Sequence, residues 1–215
     1  MLPLVNQETS LPLESTQDAL IQRHAPLAEN LWRSGKGGLS ATLRGVTLVI
    51  LGTALLTLSA KINVPLPYVP ITLQTLVVLV IGSVYGWRLG GLTLMAYLAE
   101  GAAGLPVFAG TIGGLAPFMG PTAGYLAGFV FAAVITGWLS ESGWDRSVLG
   151  LFIALAIGHA VILASGFAWL AYGLHLGPEK AWLVGIMPFI AGTVVKNALA
   201  TALVMLARQK VEHRG

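Results

Sequence analysis

Lys196 is the residue of this sequence most suited to binding chemistry, because it stands near the middle of an apolar window at about 183–207. A lysine at the centre of a membrane helix costs about 2.5–3.5 kcal/mol on insertion scales, so it needs a partner or a function there. Thr193 lies one helical turn earlier on the same face, and Asn197 follows directly. A cation beside a hydroxyl and an amide can hold an anionic ligand group, and we favour that interpretation.

A carboxylate of the chain itself is the alternative partner for this lysine. Glu100 ends the third apolar window, and no other acidic residue is placed to enter the membrane region. A buried lysine and carboxylate can neutralise each other without any ligand. A structural Lys196–Glu100 pair therefore remains open beside a ligand-facing Lys196.

Catalytic chemistry has little support in the sequence. His159 could serve an intramembrane hydrolase, but Ser165 lies about 240° around the helix and about 9 Å along it, so the two cannot form a same-helix dyad. The chain has no cysteine and only four histidines. The segment Gly35–Gly38 lacks the first glycine and the Ser or Thr of a phosphate-binding loop. We interpret His159 as a satisfied interior histidine and expect no catalytic residue, no metal, no cofactor and no ATPase activity.

The composition predicts an integral membrane protein. Of the 215 residues, 55% are hydrophobic and 10% are charged, and the mean hydropathy is +0.79. Soluble domains carry about 25% charged residues. The net charge of +3 then reflects basic segments beside membrane spans, so membrane lipid is an expected partner and nucleic acid is not.

The apolar windows predict the domain organisation. A membrane span needs about 20 mostly apolar residues, and six windows come close to or exceed that length: about 44–60, 71–86, 89–103, 121–140, 147–173 and 183–207. We therefore expect a membrane domain at 44–207. A polar tail at 1–43, partly disordered or lying on the membrane surface, precedes it, and a basic tail at 208–215 follows it.

Lysine and arginine predict the orientation, because they concentrate in cytoplasmic loops. If both tails are inside, the outer side holds Lys61 and Lys180, and the inner side holds nine basic residues: Arg23, Arg33, Lys36, Arg44, Arg88, Arg146, Arg208, Lys210 and Arg214. This bias predicts that both termini are cytoplasmic.

The stretch Gly104–Tyr125 predicts a ligand pocket. It is apolar, but its Gly and Pro density makes one regular helix unlikely to form. Irregular backbone survives within a membrane only where protein buries it or where it lines a cavity. We expect this stretch to form the wall or lid of a cavity on the outer face, near Gln74, which opens the second window between Thr72 and Thr75.

Small residues predict where helices approach closely. In the fourth window they recur at every fourth position, and we expect packing within the bundle there: Gly120, Gly124, Gly128, Ala132 and Thr136. The first window carries Gly45, Gly52 and Ser59 seven residues apart, hence on nearly one face. That face could pack inside the bundle or against a partner.

Four segments, in order along the chain, resemble the BioY family, the biotin-binding subunits of energy-coupling-factor (ECF) transporters. They are Val69–Leu76 (VPITLQTL), Gly104–Gly110 (GLPVFAG), Gly120–Tyr125 (GPTAGY), and Pro188–Phe189 leading to Lys196. The resemblance implies an all-α integral membrane protein, a compact six-transmembrane-helix bundle with an outward-facing ligand pocket, and a function in biotin uptake. It covers about residues 44–207.

The resemblance also implies site residues. The family commonly carries Gly-Asp-x-x-Lys in its last helix, with the Asp and Lys contacting the ligand, and here the segment reads Gly192-Thr-Val-Val-Lys196. Lys196 carries over, Thr193 replaces the Asp, and Glu100 or Asn197 could compensate. Further candidates are aromatic, backbone or amide contacts from the other segments: Phe108, Phe118, Tyr125, Gly110 and Gln74.

The partners implied by the resemblance are biotin, a transmembrane coupling protein and two ATP-binding subunits. In such transporters the first helix of the binding subunit packs on the coupling protein, which assigns Gly45, Gly52 and Ser59 to partner docking. Self-association is left open. The alternatives are a binding subunit for another vitamin, such as thiamin or riboflavin, and an intramembrane enzyme.

Overall fold

The structure is a computed structural model that describes residues 26–28, 38–111 and 113–212. Most of the predicted 1–43 tail and the last three residues of the 208–215 tail lie outside the described residues. Within the first tail, Leu27 and Ala28 are buried, and Pro26 lies beside Gly86. The described part of that tail therefore packs against the membrane domain.

Helices dominate the described residues. In chain order they are α1 (Gly38–Lys61), α2 (Gln74–Ala102), α3 (Ala116–Met119), α4 (Ala123–Glu141), α5 (Val148–Ala168), α6 (Pro178–Gly185) and α7 (Ile190–Glu212). Two short strands, β1 (Asn63–Val64) and β2 (Ile71–Thr72), pair antiparallel. A 3₁₀ turn at Trp144–Arg146 precedes α5, a π turn at Trp169–Gly173 follows it, and a second 3₁₀ turn joins α6 to α7 at Met187–Phe189.

Helix α2 is a hairpin rather than a rod. Gly86 interrupts it with a φ of 78° and a ψ of 171°, a conformation that glycine adopts readily because it has no Cβ. Gln74 donates a hydrogen bond to Tyr97 at 2.6 Å although 23 residues separate them, and a straight helix would hold them about 35 Å apart. Five helical stretches of the described residues are long and apolar enough to cross a membrane. Because one doubles back, the prediction of a six-span all-α membrane bundle is confirmed.

Two predicted windows differ from the helices. The window at 71–86 begins as β2, and α2 starts at Gln74, because Ile71 and Thr72 pair with Asn63–Val64 of β1. The window at 183–207 is broken between α6 and α7. Pro188 cannot continue a helix, since it lacks the N–H and its ring clashes with the preceding turn.

Small residues of α4 allow close helix packing, as the sequence predicts. A Cβ placed on Gly128 would lie 3.0 Å from the Cα of Ile162 in α5. Gly124 meets the backbone of Ser165 one turn away, and Ala132 is fully buried. The interpretation of this stripe as packing within the bundle is confirmed for its members in α4, whereas Gly120 precedes the helix and is half-buried.

The small residues of α1 correct the docking prediction. Ser59 is 3% exposed, and Gly52 is buried against α2, where an added Cβ would come 2.5 Å from Thr93 and 3.3 Å from Tyr85. Gly45 is half-buried with open space before it. Gly52 and Ser59 therefore pack inside the bundle, and the exposed face of α1 is the aliphatic one: Leu43, Val46, Ile50, Leu51, Leu55 and Leu58.

Basic residues separate to the two ends of the bundle. Arg208 pairs with Asp145 at 2.6 Å, and Arg44 and Arg88 line a common cleft. We call this the basic end. Lys61 lies at the opposite end of α1, where it contacts the segment after α2. We call that the loop end, because it holds the irregular residues of Gly104–Tyr125.

Candidate ligand-binding site

A cavity of about 480 Å³ opens among the helices beneath the loop end. Ten of its 23 lining residues belong to Gly104–Tyr125, so the prediction that this stretch forms a cavity wall is confirmed. The remaining lining residues come from β2, α2, α4, α5, α7 and the turns beside them. Small-molecule pockets in proteins are typically about 300–1,000 Å³, so this cavity has room for a ligand of vitamin size.

Side chains from neighbouring helices fasten the backbone of this wall. Tyr97 donates its hydroxyl to the Val107 carbonyl at 2.8 Å. Lys61 donates from Nζ to the carbonyls of Phe108 at 2.6 Å and Gly110 at 2.8 Å. Irregular backbone lacks the internal hydrogen bonds of a helix, so these donors satisfy carbonyls that would otherwise need other partners. Gly110 contributes to the cavity from this fastened segment.

Phe108 forms the aromatic part of that wall. It is 5% exposed and makes edge-to-face contacts with Tyr97 at 5.4 Å and with Phe118 at 5.5 Å between ring centroids. Its ring also fills the space beside Gly101, where any side chain would collide with it. Phe108 lines the cavity, whereas Phe118 supports it from behind and is absent from the lining.

Tyr125 presents its ring to the cavity from the first turn of α4. Its hydroxyl donates to the Gly185 carbonyl at 2.7 Å, and Phe189 lies 5.9 Å away between ring centroids. The hydroxyl satisfies a carbonyl at the end of α6. The aromatic face remains for contact with a ligand.

Gln74 and Thr75 bring polar groups to the cavity from the start of α2. The arm from Gln74 to Gly86 is about 18–20 Å long, which is shorter than the hydrocarbon core of about 30 Å. Its first turn can therefore lie below the membrane surface. The Gln74 amide nitrogen donates one hydrogen bond to Tyr97, so its second N–H and its carbonyl oxygen are the polar groups that this side chain can offer to another group.

Lys196 is half-buried in the cavity wall. Its Nζ donates to Thr75 Oγ1 at 3.1 Å. Lys196 and Glu100 are both described, and no ion pair within 4 Å joins them, so the alternative pairing of Lys196 with Glu100 is not formed. An ammonium group has three donors, and two of those on Lys196 are not used by Thr75.

Thr193 and Asn197 differ in their placement although they flank Lys196. Thr193 lines the cavity one turn nearer the loop end. Asn197 is 2% exposed and turns away from the lining, where it donates to the Phe152 carbonyl at 2.9 Å and contacts His159 Nδ1 at 3.3 Å. Asn197 therefore joins α7 to α5 and positions His159.

The structure brings together six of the nine residues proposed from sequence. The six that line the cavity are Gln74, Phe108, Gly110, Tyr125, Thr193 and Lys196, whereas Glu100, Phe118 and Asn197 are absent from the lining. Sequence reasoning set His159 aside, yet its ring lines the cavity, and it is the described residue with a buried side-chain nitrogen that has no hydrogen-bond partner. Ile162 and Leu163, three and four positions later, lie on the same helical face and also line the cavity. That spacing is the sequence signal that could have placed His159 at the cavity.

Comparison with known proteins identifies the family. The profile of the BioY family matches residues 32–213. The chain belongs to the BioY family.

Individual relatives agree with this assignment. The "Probable biotin transporter BioY" of Pyrococcus horikoshii is 39% identical over 159 residues, which are 74% of this chain and 92% of the relative. The "Biotin transporter BioY" of Rhizobium etli is 44% identical over 142 residues, which are 63% of this chain and 75% of the relative. These BioY proteins are named as transporters, which confirms the prediction of a transport protein rather than an enzyme.

A solved structure shares the fold. A crystal structure titled as the S-component for biotin from an ECF-type ABC transporter superposes with a TM-score of 0.73 at 25% sequence identity. The similarity covers 81% of this chain and 95% of that chain. The bundle described above is therefore the fold of an S-component, and the protein is a multi-pass membrane protein.

Proposed function

We propose that this chain binds biotin with high affinity in the cavity and serves biotin uptake as the substrate-capture subunit of an ECF transporter. The observation that carries the proposal is the cavity itself. Fifteen of its 23 lining residues come from Val69–Leu76, Gly104–Gly110, Gly120–Tyr125 and the segment from Pro188 to Lys196, which are the segments that resemble the BioY family.

The chemistry of the cavity supports biotin as the ligand. Phe108, Phe129 and Tyr125 supply apolar and aromatic surface for fused rings. Lys196, with Thr75 and Gln74 nearby, supplies hydrogen bonds for a polar group. The wall thus has an aromatic, apolar part and a small hydrogen-bonding part around Lys196. A ligand with an apolar body and few polar atoms matches both parts.

Uptake requires a source of energy and a defined orientation. We propose that the chain assembles with a transmembrane coupling protein and two ATP-binding subunits. We further propose that it lies in a bacterial cell membrane with the loop end outside and both termini in the cytoplasm. The separation of basic residues to the basic end supports this orientation.

Ligand binding to the purified chain tests the proposal. Biotin, thiamin and riboflavin would be titrated separately against the detergent-solubilised protein, and binding would be followed by calorimetry. We expect saturable binding of biotin at one site per chain and no binding of the other two vitamins. Selective binding of thiamin or riboflavin would show that this vitamin, and not biotin, is the ligand. Binding of none of the three would contradict a vitamin-capture function.

A further inference from the structure

The lining residues define which end of the cavity is the floor. Helices α4 and α7 begin at the loop end, and α5 finishes there. The lining residue farthest from the loop end is Phe129 on α4, His159 on α5 and Lys196 on α7. These three side chains therefore form the floor of the cavity.

His159 is held at the floor in one orientation. It lies in the middle of α5 and is 2% exposed. Its Nδ1 faces Asn197 Oδ1 at 3.3 Å, and its Nε2 is buried with no hydrogen-bond partner among the described residues. Burying a polar atom without a hydrogen-bond partner costs about 1–3 kcal/mol of stability. Either the folded chain carries this cost at Nε2, or a bound ligand supplies the missing hydrogen bond.

The hydrogen bonds of Asn197 assign the tautomer of this histidine. A backbone carbonyl can only accept, so the amide nitrogen of Asn197 must face Phe152, which it does at 2.9 Å. The amide oxygen is then the atom that faces His159, and it requires a donor. The proton of the neutral ring therefore lies on Nδ1, and Nε2 carries a lone pair that can only accept a hydrogen bond.

The floor thus offers one strong donor and one bare acceptor. Lys196 Nζ has donors beyond the one that Thr75 accepts, and His159 Nε2 accepts. A carboxylate has only acceptor oxygens, so it could satisfy Lys196 but would oppose the lone pair of His159. A urea group carries a carbonyl oxygen that accepts and N–H groups that donate, so it could satisfy both.

We infer that His159 is a ligand-binding residue whose Nε2 accepts a hydrogen bond from a ureido N–H of biotin at the cavity floor. In this arrangement Lys196 donates to the ureido carbonyl oxygen, and the carboxylate of biotin points toward the loop end. Lys61 supplies positive charge at that end through its contacts with Phe108 and Gly110. The inference rests on the proposed function, because it assigns the orientation of the same ligand in the same cavity.

Protein variants combined with modified ligands test the inference. The variants are His159→Phe, which removes the acceptor, and His159→Gln, whose amide oxygen can replace it. The ligands are biotin, its primary amide, and biotin methylated on both ureido nitrogens. His175→Asn, at an exposed histidine outside the cavity, is the matched control, and melting curves of each variant report folding.

The expected pattern separates the two ends of the ligand. His159→Phe should weaken biotin and its amide by the same factor, about tenfold, and His159→Gln should recover part of that loss. Dimethylated biotin should bind poorly to the native chain and should lose nothing further in His159→Phe. His175→Asn should bind all three ligands as the native chain does.

Two results would overturn the inference alone. One is unchanged biotin affinity in a folded His159→Phe chain, or in His159→Leu if the Phe variant does not fold. The other is a loss in His159→Phe that affects biotin but spares its amide, because that would place the carboxylate at the floor with Nε2 donating to it. Failure of the native chain to bind biotin would instead overturn the proposed function and this inference with it.

Discussion

Lys196 is the described cation that combines a position inside the bundle with an opening to the cavity, and its hydrogen bond to Thr75 holds its ammonium at the wall. Sequence alone placed it in an apolar window, where insertion cost indicated a function. The structure adds that Glu100 forms no ion pair with it within the described residues. At the scale of single residues, the ammonium of Lys196 is therefore held by a neutral hydroxyl and not by a carboxylate of the chain, which is the arrangement that the proposed contact with a ligand requires.

Removing the charge of Lys196 should weaken biotin binding. A hydrogen bond from a charged group contributes about 1.5–3 kcal/mol, and 1.4 kcal/mol corresponds to about a tenfold change in affinity. Lys196→Met, which keeps most of the side-chain length, should therefore bind biotin about ten- to a hundredfold more weakly in titration calorimetry.

Glu100→Gln is the control for that variant. Because Glu100 is absent from the cavity lining, the change should leave biotin affinity and thermal stability close to those of the native chain. If the folded Lys196→Met chain binds biotin as tightly as the native chain, Lys196 does not contact the ligand. Thr193→Asp, which restores the residue common in the family, should alter affinity without unfolding the protein.

Lys61 should act on the site through the backbone that it holds. Its ammonium donates to two carbonyls of the cavity wall, and solvent screens the more exposed of these charged hydrogen bonds, which lowers its contribution. Lys61→Met should loosen the wall and speed biotin dissociation about two- to tenfold in a displacement assay. Lys180→Met, which removes an exposed lysine placed over the Tyr68 ring, should leave the dissociation rate unchanged. If both variants speed dissociation equally, the cause is the lost surface charge and not the hydrogen bonds of Lys61.

At the scale of helices, α1 shows why a stripe of small residues is ambiguous. The spacing of Gly45, Gly52 and Ser59 is the same whether the neighbour is the chain's own α2 or a separate protein. The structure places Thr93 and Tyr85 of α2 against Gly52. Gly52 and Ser59 are thus contacts within the chain, whereas Gly45 faces open space. The aliphatic face of α1 is the one that remains exposed.

Gly52→Leu should therefore destabilise the bundle itself. A leucine side chain would collide with Thr93 and Tyr85, and overpacking in a dense core typically costs about 1–3 kcal/mol. We expect a lower melting temperature and less folded protein in size-exclusion profiles. Ala54→Leu, on the exposed side of the same helix, should behave like the native chain; normal stability of Gly52→Leu with selective loss of the coupling protein would restore the docking assignment.

At the scale of the whole molecule, the two ends of the bundle differ in charge and in shape. The cavity and its irregular wall lie at the loop end, and Arg44, Arg88 and Arg208 lie at the basic end. An uptake protein must take its ligand from outside. The proposed orientation meets that need and follows the distribution of basic residues at the same time.

Single cysteines can test this orientation because the chain contains none. Glu179 is exposed at the start of α6 on the loop end, and Ser142 is exposed after α4 on the basic end. In intact cells, a membrane-impermeant maleimide should label Glu179→Cys at once and Ser142→Cys only after permeabilisation. The reverse labelling pattern would show that the loop end faces the cytoplasm, which contradicts the proposed orientation.

The sequence by itself determined the number of spans, the wall at Gly104–Tyr125 and the presence of Lys196 in the bundle. These follow from hydropathy, from Gly and Pro content and from the cost of a buried charge, all of which are properties of local sequence. This reasoning and the resemblance to the BioY family together placed six of the proposed site residues on segments that line one cavity.

Tertiary structure decided the contacts that depend on how helices rotate against each other. It set the inward face of α1, the pairing of Lys196 with Thr75 across 121 residues, and the bare Nε2 of His159. A helix pattern shows which residues share a face, but it does not show which neighbour that face meets. His159 therefore looked like any interior histidine until Asn197 and Phe152 were seen to fix its proton on Nδ1.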